Sequence, residues 1–319
     1  MKTKVGVIGL GRAGLSRLKA LSKLGFKHVK VATRRPHAIS DLYALGHTLP
    51  EILVVEEWRS MISDPYLDLI FVCSENQVHG EQVAQMLRAL KHVCVEFPLC
   101  ESAEEAASLF ELARQSQRSL HVECIGALTS RHLALRTYLK RGERIKSVHS
   151  DFKGGLYRWV NEAARQEQWV SLSFGRLFRL VDLFGPLRVQ SAAVHQIDST
   201  GIPQHHRERE LAESYAYHLV VEMVTHSTSH QIKILLEERR TQNLKRSSAF
   251  KVCTFSGPLE LEHNPQGSIF LTDTAYALEL AGLPFIEGDY ERPEAYASEA
   301  KILQAHSLVD EINQRLRAL

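Results

Sequence analysis

Three glycines near the N-terminus have the spacing that phosphate-binding chemistry requires. Gly9, Gly11 and Gly14 form a G-x-G-x-x-G motif between an apolar stretch, Val5–Ile8, and an amphipathic stretch that begins at Leu15. In this context the first glycine makes a tight turn, the second admits a pyrophosphate close to the backbone, and the third lets the helix pack on the strand. The motif therefore predicts a dinucleotide site. Its expected cofactor-binding residues are Gly9, Leu10, Gly11, Arg12, Ala13 and Gly14.

The second predicted strand, His28–Thr33, ends in residues that bear on the choice of cofactor. An Asp or Glu at this position usually binds the ribose 2′-hydroxyl of NAD, but this chain has Thr33, Arg34 and Arg35 there. A guanidinium binds a 2′-phosphate bidentately. The sequence therefore favours NADPH, with NADH as a weaker cofactor; the alternative is that both arginines are solvated loop charges.

Further polar residues follow three later strands, which are predicted at 68–73, 91–96 and 119–124. Because parallel strands end at one edge of a sheet, we expect these residues to line one crevice. The expected cofactor contacts are Ser74, Asn76, His79, Glu96 and Phe97. Glu96 and Glu123 either carry protons or order the loops by accepting backbone N–H bonds. Neither His79 nor His121 has partners at metal-ligand spacing, so no metal site is predicted.

The elements that position these residues indicate two domains. Strands and helices alternate up to about residue 125, which predicts an N-terminal Rossmann domain (1–125) with a doubly wound parallel sheet, an α/β fold. Beyond it, long alternating stretches without intervening helices predict an α+β substrate domain (126–319) with an open, mostly antiparallel sheet. A last amphipathic helix, at about 293–316, is expected to pack back on the first domain.

Composition excludes several classes of partner. The net charge is +2, with 44% hydrophobic and 24% charged residues, which gives no global field for nucleic acid or a membrane surface. The first strand begins at residue 5, and no apolar run is long enough to cross a bilayer. The five cysteines have no C-x-x-C pairing, as is typical of reduced thiols. We therefore expect a cytoplasmic protein with a small-molecule substrate; monomer and homo-oligomer both stay open.

Several short stretches resemble one known family. The Rossmann motif, a strand ending Glu-x-Pro and a C-terminal antiparallel sheet are similar to the glucose–fructose oxidoreductase / inositol dehydrogenase (Gfo/Idh/MocA) family. Its sugar and polyol dehydrogenases carry Glu-Lys-Pro with an acid/base lysine, whereas this chain has Glu96-Phe97-Pro98. A phenyl ring cannot relay a proton. The biliverdin reductase branch lacks that lysine and carries Glu-Tyr-Pro. Stretches at 73–79, 120–123 and 172–185 also resemble that branch.

The resemblance implies an NAD(P)H-dependent oxidoreductase that reduces biliverdin to bilirubin by adding hydride to the central bridging carbon. It assigns proton donation, or its steering through a bound water, to Arg176, with Arg179 one helical turn on. Glu123 and Glu96, at the ends of their strands, are the other expected catalytic residues. An electrostatic role, or an ion pair with Asp182, is the alternative for the arginines.

The exact substrate stays open, because Phe97, Cys124 and Gly126 depart from the branch pattern. Phe97, Tyr157 or Trp159 offer stacking faces for a flat substrate. An NADP-dependent sugar, polyol or imine oxidoreductase and a non-catalytic cofactor-binding regulator are the other functions consistent with these residues.

Overall fold

The structure is a computed structural model of all 319 residues. It describes residues 4–34, 49–142, 144–155, 173–196, 216–226, 230–241, 244–260, 268–286, 292–293 and 296–318. Arg35, Tyr157 and Trp159 lie outside the described residues, so their predicted roles stay predictions. Within these ranges, none of the helices is both long and apolar enough to cross a membrane.

The chain divides into two compact units. The first contains residues up to Ser130 together with 264–302, and the second contains 131–263 and 303–319. The predicted packing of the last helix on the first domain stays a prediction.

The first unit contains a six-stranded parallel sheet in the order β3-β2-β1-β4-β5-β6. Its strands are β1 (Val5–Ile8), β2 (His28–Ala32), β3 (Glu51–Val55), β4 (Leu69–Val72), β5 (His92–Val95) and β6 (Leu120–Val122). β1 and β4 are buried along their whole length, as continuous apolar runs in a sheet covered on both faces require. The predicted Rossmann architecture is confirmed.

Three helices of this unit follow the strands in the predicted rhythm. They are α1 (Arg12–Lys23), α2 (His79–Arg88) and α3 (Ala103–Gln115). The hydroxyl of Ser102 accepts a hydrogen bond from Glu105 N–H and thereby caps α3. These helices begin near the carboxyl ends of the strands, where the sequence predicts the ligand.

Two elements of the first unit were not predicted. The edge strand β3 is half-exposed, with Leu53 41% and Val54 42% exposed, and it lacks the alternation of a one-sided strand. Helix α6 (Ile269–Leu280) contacts α1. Its sequence is apolar on most sides and shows no single stripe that marks a surface helix.

The second unit contains a mixed six-stranded sheet in the order β12-β11-β7-β10-β9-β8. Its strands are β7 (Ile145–Gly155), β8 (Leu187–Gln196), β9 (Tyr217–Thr225), β10 (Lys233–Thr241), β11 (Ser247–Thr254) and β12 (Gly257–Pro258). β7 and β10 pair in parallel, and the other pairs are antiparallel. The mostly antiparallel second sheet is confirmed.

Helices of the second unit include α4 (Ser130–Lys140) and α5 (Phe174–Phe184). The last helix, α7 (Glu299–Arg317), has residues in both units. α5 buries Phe174, Leu177, Phe178, Leu180 and Val181. Arg176 and Arg179 lie between these apolar positions, so helical spacing brings both guanidiniums near the sheet.

Candidate functional site

The glycine-rich turn has room for a phosphate at one glycine and none at the other two. A Cβ on Gly9 would lie 2.5 Å from the Cys73 carbonyl oxygen, and a Cβ on Gly14 would lie 2.1 Å from that of Gly9. Gly9 also has a φ of +92°, which a side chain would strain. A Cβ on Gly11 would meet nothing within 4 Å. Gly9 and Gly14 are thus required by packing, whereas Gly11 leaves space open beside the backbone.

Helix α1 begins at this open space. Its N-cap residue Gly11 provides no side-chain cap, and its first turn contains no acidic residue. The first N–H groups of the helix are therefore available to an anion, which the helix dipole also favours. The flanking Leu10 and Ala13 are half-buried and Arg12 is exposed. This arrangement fits the pyrophosphate of a dinucleotide.

Arg34 lies beyond the end of β2 and is paired with a carboxylate. Its Nη2 lies 3.3 Å from Glu75 Oε1, and Glu75 follows β4. β2 and β4 flank β1 in the sheet, so the pair bridges the two sides of the glycine-rich turn. Thr33 is buried, and its N–H donates to the Val55 carbonyl. Arg34 is therefore the exposed cation at the position where the ribose is expected.

His79 joins two loops at the carboxyl edge of the first sheet. It is fully buried, with Nδ1 2.8 Å from the Pro98 carbonyl and Nε2 3.2 Å from the Ser74 carbonyl. Burial lowers its pKa although both carbonyls favour the charged form. The Ser74 hydroxyl donates to Gln82 Oε1 at 2.5 Å. These contacts hold the loops together, and the predicted cofactor contacts of His79 and Ser74 stay predictions.

Asn76 and Phe97 lie on the same two loops, and both are half-buried. Asn76 begins a short 3-10 turn, Asn76–Val78, ahead of α2. Phe97 follows Glu96 directly after β5. No contact in the described residues assigns either side chain to a cofactor, so these two positions also stay predictions.

A buried arginine in the first unit was missed by sequence reasoning. Arg17 on α1 is fully buried, and its Nη1 lies 2.5 Å from Asp273 Oδ2 on α6. The same guanidinium donates to Thr274 Oγ1 at 3.0 Å and contacts Glu96 Oε1 at 3.3 Å. Burial opposes its charge, but Asp273 most strongly among the neighbouring groups raises its pKa above the usual value. Arg17 thus links the nucleotide-binding helix to Glu96.

Asp273 is the centre of this buried network. Its Oδ1 lies 2.8 Å from His121 Nε2 and accepts a hydrogen bond from the Tyr296 hydroxyl at 2.6 Å. Tyr296 in turn accepts from Cys124 N–H at 3.0 Å. Burial works to raise the pKa of Asp273, but Arg17 and then His121 lower it below the usual range.

Cys94 lies close to His121 and Asp273, but Arg17 forms a salt bridge with Asp273 at this point, and we do not assign the group to a metal. One ligand atom from each lies within 4.8 Å of the others. The three residues come from three separate elements, so sequence spacing could not show the group. Both oxygens of Asp273 already contact side chains, and Arg17 supplies the cation beside them.

Glu96 and Glu123 end neighbouring strands. Glu123 N–H donates to the Val95 carbonyl at 2.8 Å, which places the two residues side by side. Glu123 is fully buried. Burial, then Glu96 and Asp273, raise its pKa well above the ordinary value. The side chain of Glu96 is 16% exposed, so it is the outer member of the pair.

In the second unit, Arg176 forms an ion pair with a buried carboxylate. Its Nη2 forms an ion pair with Glu238 on β10 and lies 2.5 Å from the Ser173 hydroxyl. Glu238 also accepts from Arg240 Nε at 2.6 Å and from the Tyr217 hydroxyl at 3.1 Å. Burial alone would raise the pKa of Glu238, but Arg176 and Arg240 lower it to about 2. Arg176 is thereby held in an ion pair with Glu238.

Arg179 is held differently, without a carboxylate contact in the described part of the chain. Its Nε donates to His132 Nδ1 at 3.3 Å, and His132 Nε2 lies 2.7 Å from Asp182 Oδ2. Its guanidinium carbon lies 4.9 Å from the centre of the Phe250 ring. Burial, then the like charges of Arg131 and Arg176, lower its pKa to about 10. Asp182, the partner considered from sequence, is bonded to His132.

The first unit therefore has the fold and the glycine-rich turn of an NAD(P)-dependent oxidoreductase. Residues 3–124 match the oxidoreductase family with an NAD-binding Rossmann fold, Gfo/Idh/MocA. Over these residues the chain is similar to that family, and along nearly its whole length it is similar to two biliverdin reductases.

The relatives cover nearly the whole chain. Mouse biliverdin reductase A is 28% identical over 326 residues, which span 99% of this chain and 96% of the relative. The human protein of the same name is 27% identical over 98% of this chain and 96% of its own. Among solved structures, a biliverdin reductase from Synechocystis sp. PCC 6803 in complex with biliverdin and NADP+ has a TM-score of 0.74 at 18% identity, over 99% of this chain and 100% of that one. That last likeness shows the fold.

Proposed function

We propose that this protein reduces biliverdin to bilirubin with NADPH, adding hydride to the central bridging carbon of the linear tetrapyrrole. When bound, the reduced nicotinamide supplies the hydride. The similarity to biliverdin reductase A over 98–99% of the chain supports this substrate. Phe97, in place of a lysine, argues against polyol oxidation by the family's usual acid/base route. A cytoplasmic location remains part of the proposal.

The observation that carries the proposal is the surplus of guanidinium groups beside apolar surface in the second unit. Arg179 faces the ring of Phe250, and Arg131 Nη2 donates to the Phe250 carbonyl at 2.9 Å. Among the described residues, neither arginine contacts a carboxylate. Biliverdin is flat, apolar and carries two propionates, so it offers both the anions and the stacking surface that such a cluster binds.

The geometry also changes the role expected of Arg176. Because it is paired with Glu238 and Arg240 shares the same carboxylate, Arg176 is a poor source of a proton. We infer an electrostatic role for it: a cation that, with Arg179, attracts the propionates and stabilises negative charge on the tetrapyrrole. The proton then has to come from another group.

The NADP preference rests on Arg34. It is an exposed guanidinium at the end of β2, where a 2′-phosphate of NADPH would replace Glu75 as its partner. NADH lacks that phosphate and would leave the existing pair undisturbed. We therefore propose NADPH as the preferred cofactor and NADH as a weaker one.

An absorbance scan of the purified protein with biliverdin tests the reaction. With NADPH the blue-green band should fall and a yellow band should grow, faster than with NADH. Arg179→Ala should lower kcat/KM about 10- to 100-fold, because one charge-assisted contact is lost. Arg315→Ala is the matched control, since this exposed arginine pairs with Glu311 on the same helix. If NADPH binds but biliverdin is not reduced, the bilin assignment fails and sugars and imines are tested next.

A further inference from the structure

Two carboxyl groups share one buried guanidinium at the carboxyl edge of the first sheet, and a third, that of Glu123, lies beside Glu96. Arg17 contacts Asp273 at 2.5 Å and Glu96 at 3.3 Å, and it donates to the Thr274 hydroxyl at 3.0 Å. None of these contacts involves Glu123. Arg17 therefore forms its ion pairs with Asp273 and Glu96.

In the described part of the chain, the direct contact that would compensate a negative charge on Glu123 is one backbone hydrogen bond. Glu123 is fully buried, and its Oε1 accepts this hydrogen bond from Ile125 N–H at 2.8 Å. In the described residues, no N–H or O–H group donates to its Oε2. An ionised carboxylate in this position would cost several kcal/mol, whereas a neutral carboxylic acid would not.

We propose that Glu123 holds a proton as a carboxylic acid beside Glu96, and that Arg17 and Asp273 are positioning residues that determine how firmly this proton is held. The charged and titratable groups around Glu123 come from α1, β4, β5, α6 and the segment before α7. They are Arg17, Cys73, Glu96, Asp273 and Tyr296. Glu96 and Asp273 disfavour ionisation of Glu123, and Arg17 favours it, so the two positioning residues act with opposite sign.

The fate of this proton rests on the proposed function. Reduction of biliverdin needs one hydride at carbon and one proton at a pyrrole nitrogen. The O–H bond of Glu123 would break, its proton would pass by way of Glu96, which is 16% exposed, and the new N–H bond would form on the substrate. Glu123 is left as a carboxylate and regains a proton from solvent. Arg176, paired with Glu238, then need not give up a proton.

Infrared difference spectroscopy of the full-length protein tests the inference without turnover. The spectrum of wild type minus Glu123→Gln at neutral pH should contain a carboxylic acid C=O band, which disappears at alkaline pH. Glu111→Gln is the matched control, because Glu111 is an exposed carboxylate and should give no such band at neutral pH. If the Glu123 difference spectrum shows no acid band, the inference is wrong.

The positioning residues are tested by the pH at which this band is lost. Removing the cation in Arg17→Met should raise that pH by about one unit or more, and removing an anion in Asp273→Asn should lower it similarly. A purely structural role predicts shifts of the same sign, or none, and either result overturns the assignment. If circular dichroism shows that Arg17→Met does not fold, Arg17→Gln, which keeps a hydrogen-bond donor but not the charge, replaces it and must raise the pH.

Turnover separates this inference from the proposed function. Glu123→Gln should bind NADPH as wild type does and lose biliverdin reduction at least tenfold. If the band behaves as expected but wild type does not reduce biliverdin, the proposed substrate fails and the protonated Glu123 stands. If Glu123→Gln reduces biliverdin at the wild-type rate, the transfer of its proton to the substrate is wrong.

Discussion

The pair formed by Arg34 and Glu75 should control NADPH affinity in opposite directions. A guanidinium that donates to a phosphate oxygen contributes about 1.5–3 kcal/mol for one charge-assisted hydrogen bond. We therefore expect Arg34→Ala to raise the Kd of NADPH about 10- to 100-fold and that of NADH less than about twofold. The difference between the two cofactors isolates the phosphate contact.

Glu75 should have the smaller effect. Its carboxylate lies 3.3 Å from Arg34, and the two side chains are 60% and 84% exposed. Exposed pairs of this kind are worth about 0.2–1 kcal/mol. Releasing Arg34 through Glu75→Gln should thus lower the Kd of NADPH about fivefold at most and leave NADH unchanged.

Both effects can be measured by titrating NADPH and NADH fluorescence with protein at fixed ionic strength, with no substrate present. Arg59→Ala is the control, because Arg59 is also exposed and pairs with a carboxylate, that of Glu81, at 2.6 Å. Equal changes in NADPH and NADH affinity for Arg34→Ala would refute the reasoning, since NADH has no 2′-phosphate for Arg34 to contact. An increased Kd of NADPH for Glu75→Gln would equally count against competition for Arg34.

Three further predictions concern the glycines and two buried titratable groups. Gly11→Ala should keep the wild-type melting temperature but lose NADPH binding, because its Cβ would meet nothing within 4 Å. Gly14→Ala should lower the melting temperature, because its Cβ would lie 2.1 Å from the Gly9 carbonyl oxygen. Equal melting temperatures for the two variants would contradict this. Glu238→Gln should lower the free energy of unfolding by about 3 kcal/mol at pH 7, because folding lowers the pKa of Glu238 from 4.5 to about 2. This contribution is present above pH 4.5 and is lost as the pH falls towards 2. The free energy of unfolding of the variant should therefore change less between these pH values than that of wild type. Burial lowers the pKa of His306 from 6.5 to about 4, so the free energy of unfolding of wild type should fall by about 3 kcal/mol as the pH is lowered from 6.5 to 4. Urea denaturation of His306→Leu should not show this decrease.

The glycine-rich turn and the strand before it could be predicted because the residues that form them are close together in sequence. The turn at Gly9–Gly14 and the apolar strand before it lie within a dozen residues. β3 could not be predicted, because an edge strand with Leu53 and Val54 exposed has neither a buried run nor a clean alternation.

The contacts of the arginines could not be predicted because their partners are distant in sequence. Local spacing suggested Asp182 for the pair on α5, yet Arg176 binds Glu238, 62 residues later. Glu238 occupies a position of β10 at which the strand alternation buries the side chain, next to Leu236 and Arg240. Sequence alone presents it as one charge in a run of four, Glu237–Arg240. Burial of a charge follows from tertiary packing and leaves no local signal.

The link between Arg17 and Asp273 also bears on the synthesis of the chain. The carboxylate that neutralises Arg17 is encoded 256 residues downstream. When the first 130 residues have left the ribosome, the nascent parallel sheet still lacks α6, and its arginine has no Asp273 to bind. The N-terminal unit should therefore complete its folding late, after the second unit has been translated. A fragment ending near residue 130 should be prone to aggregation or proteolysis, because a cation destined for the interior is left without that carboxylate.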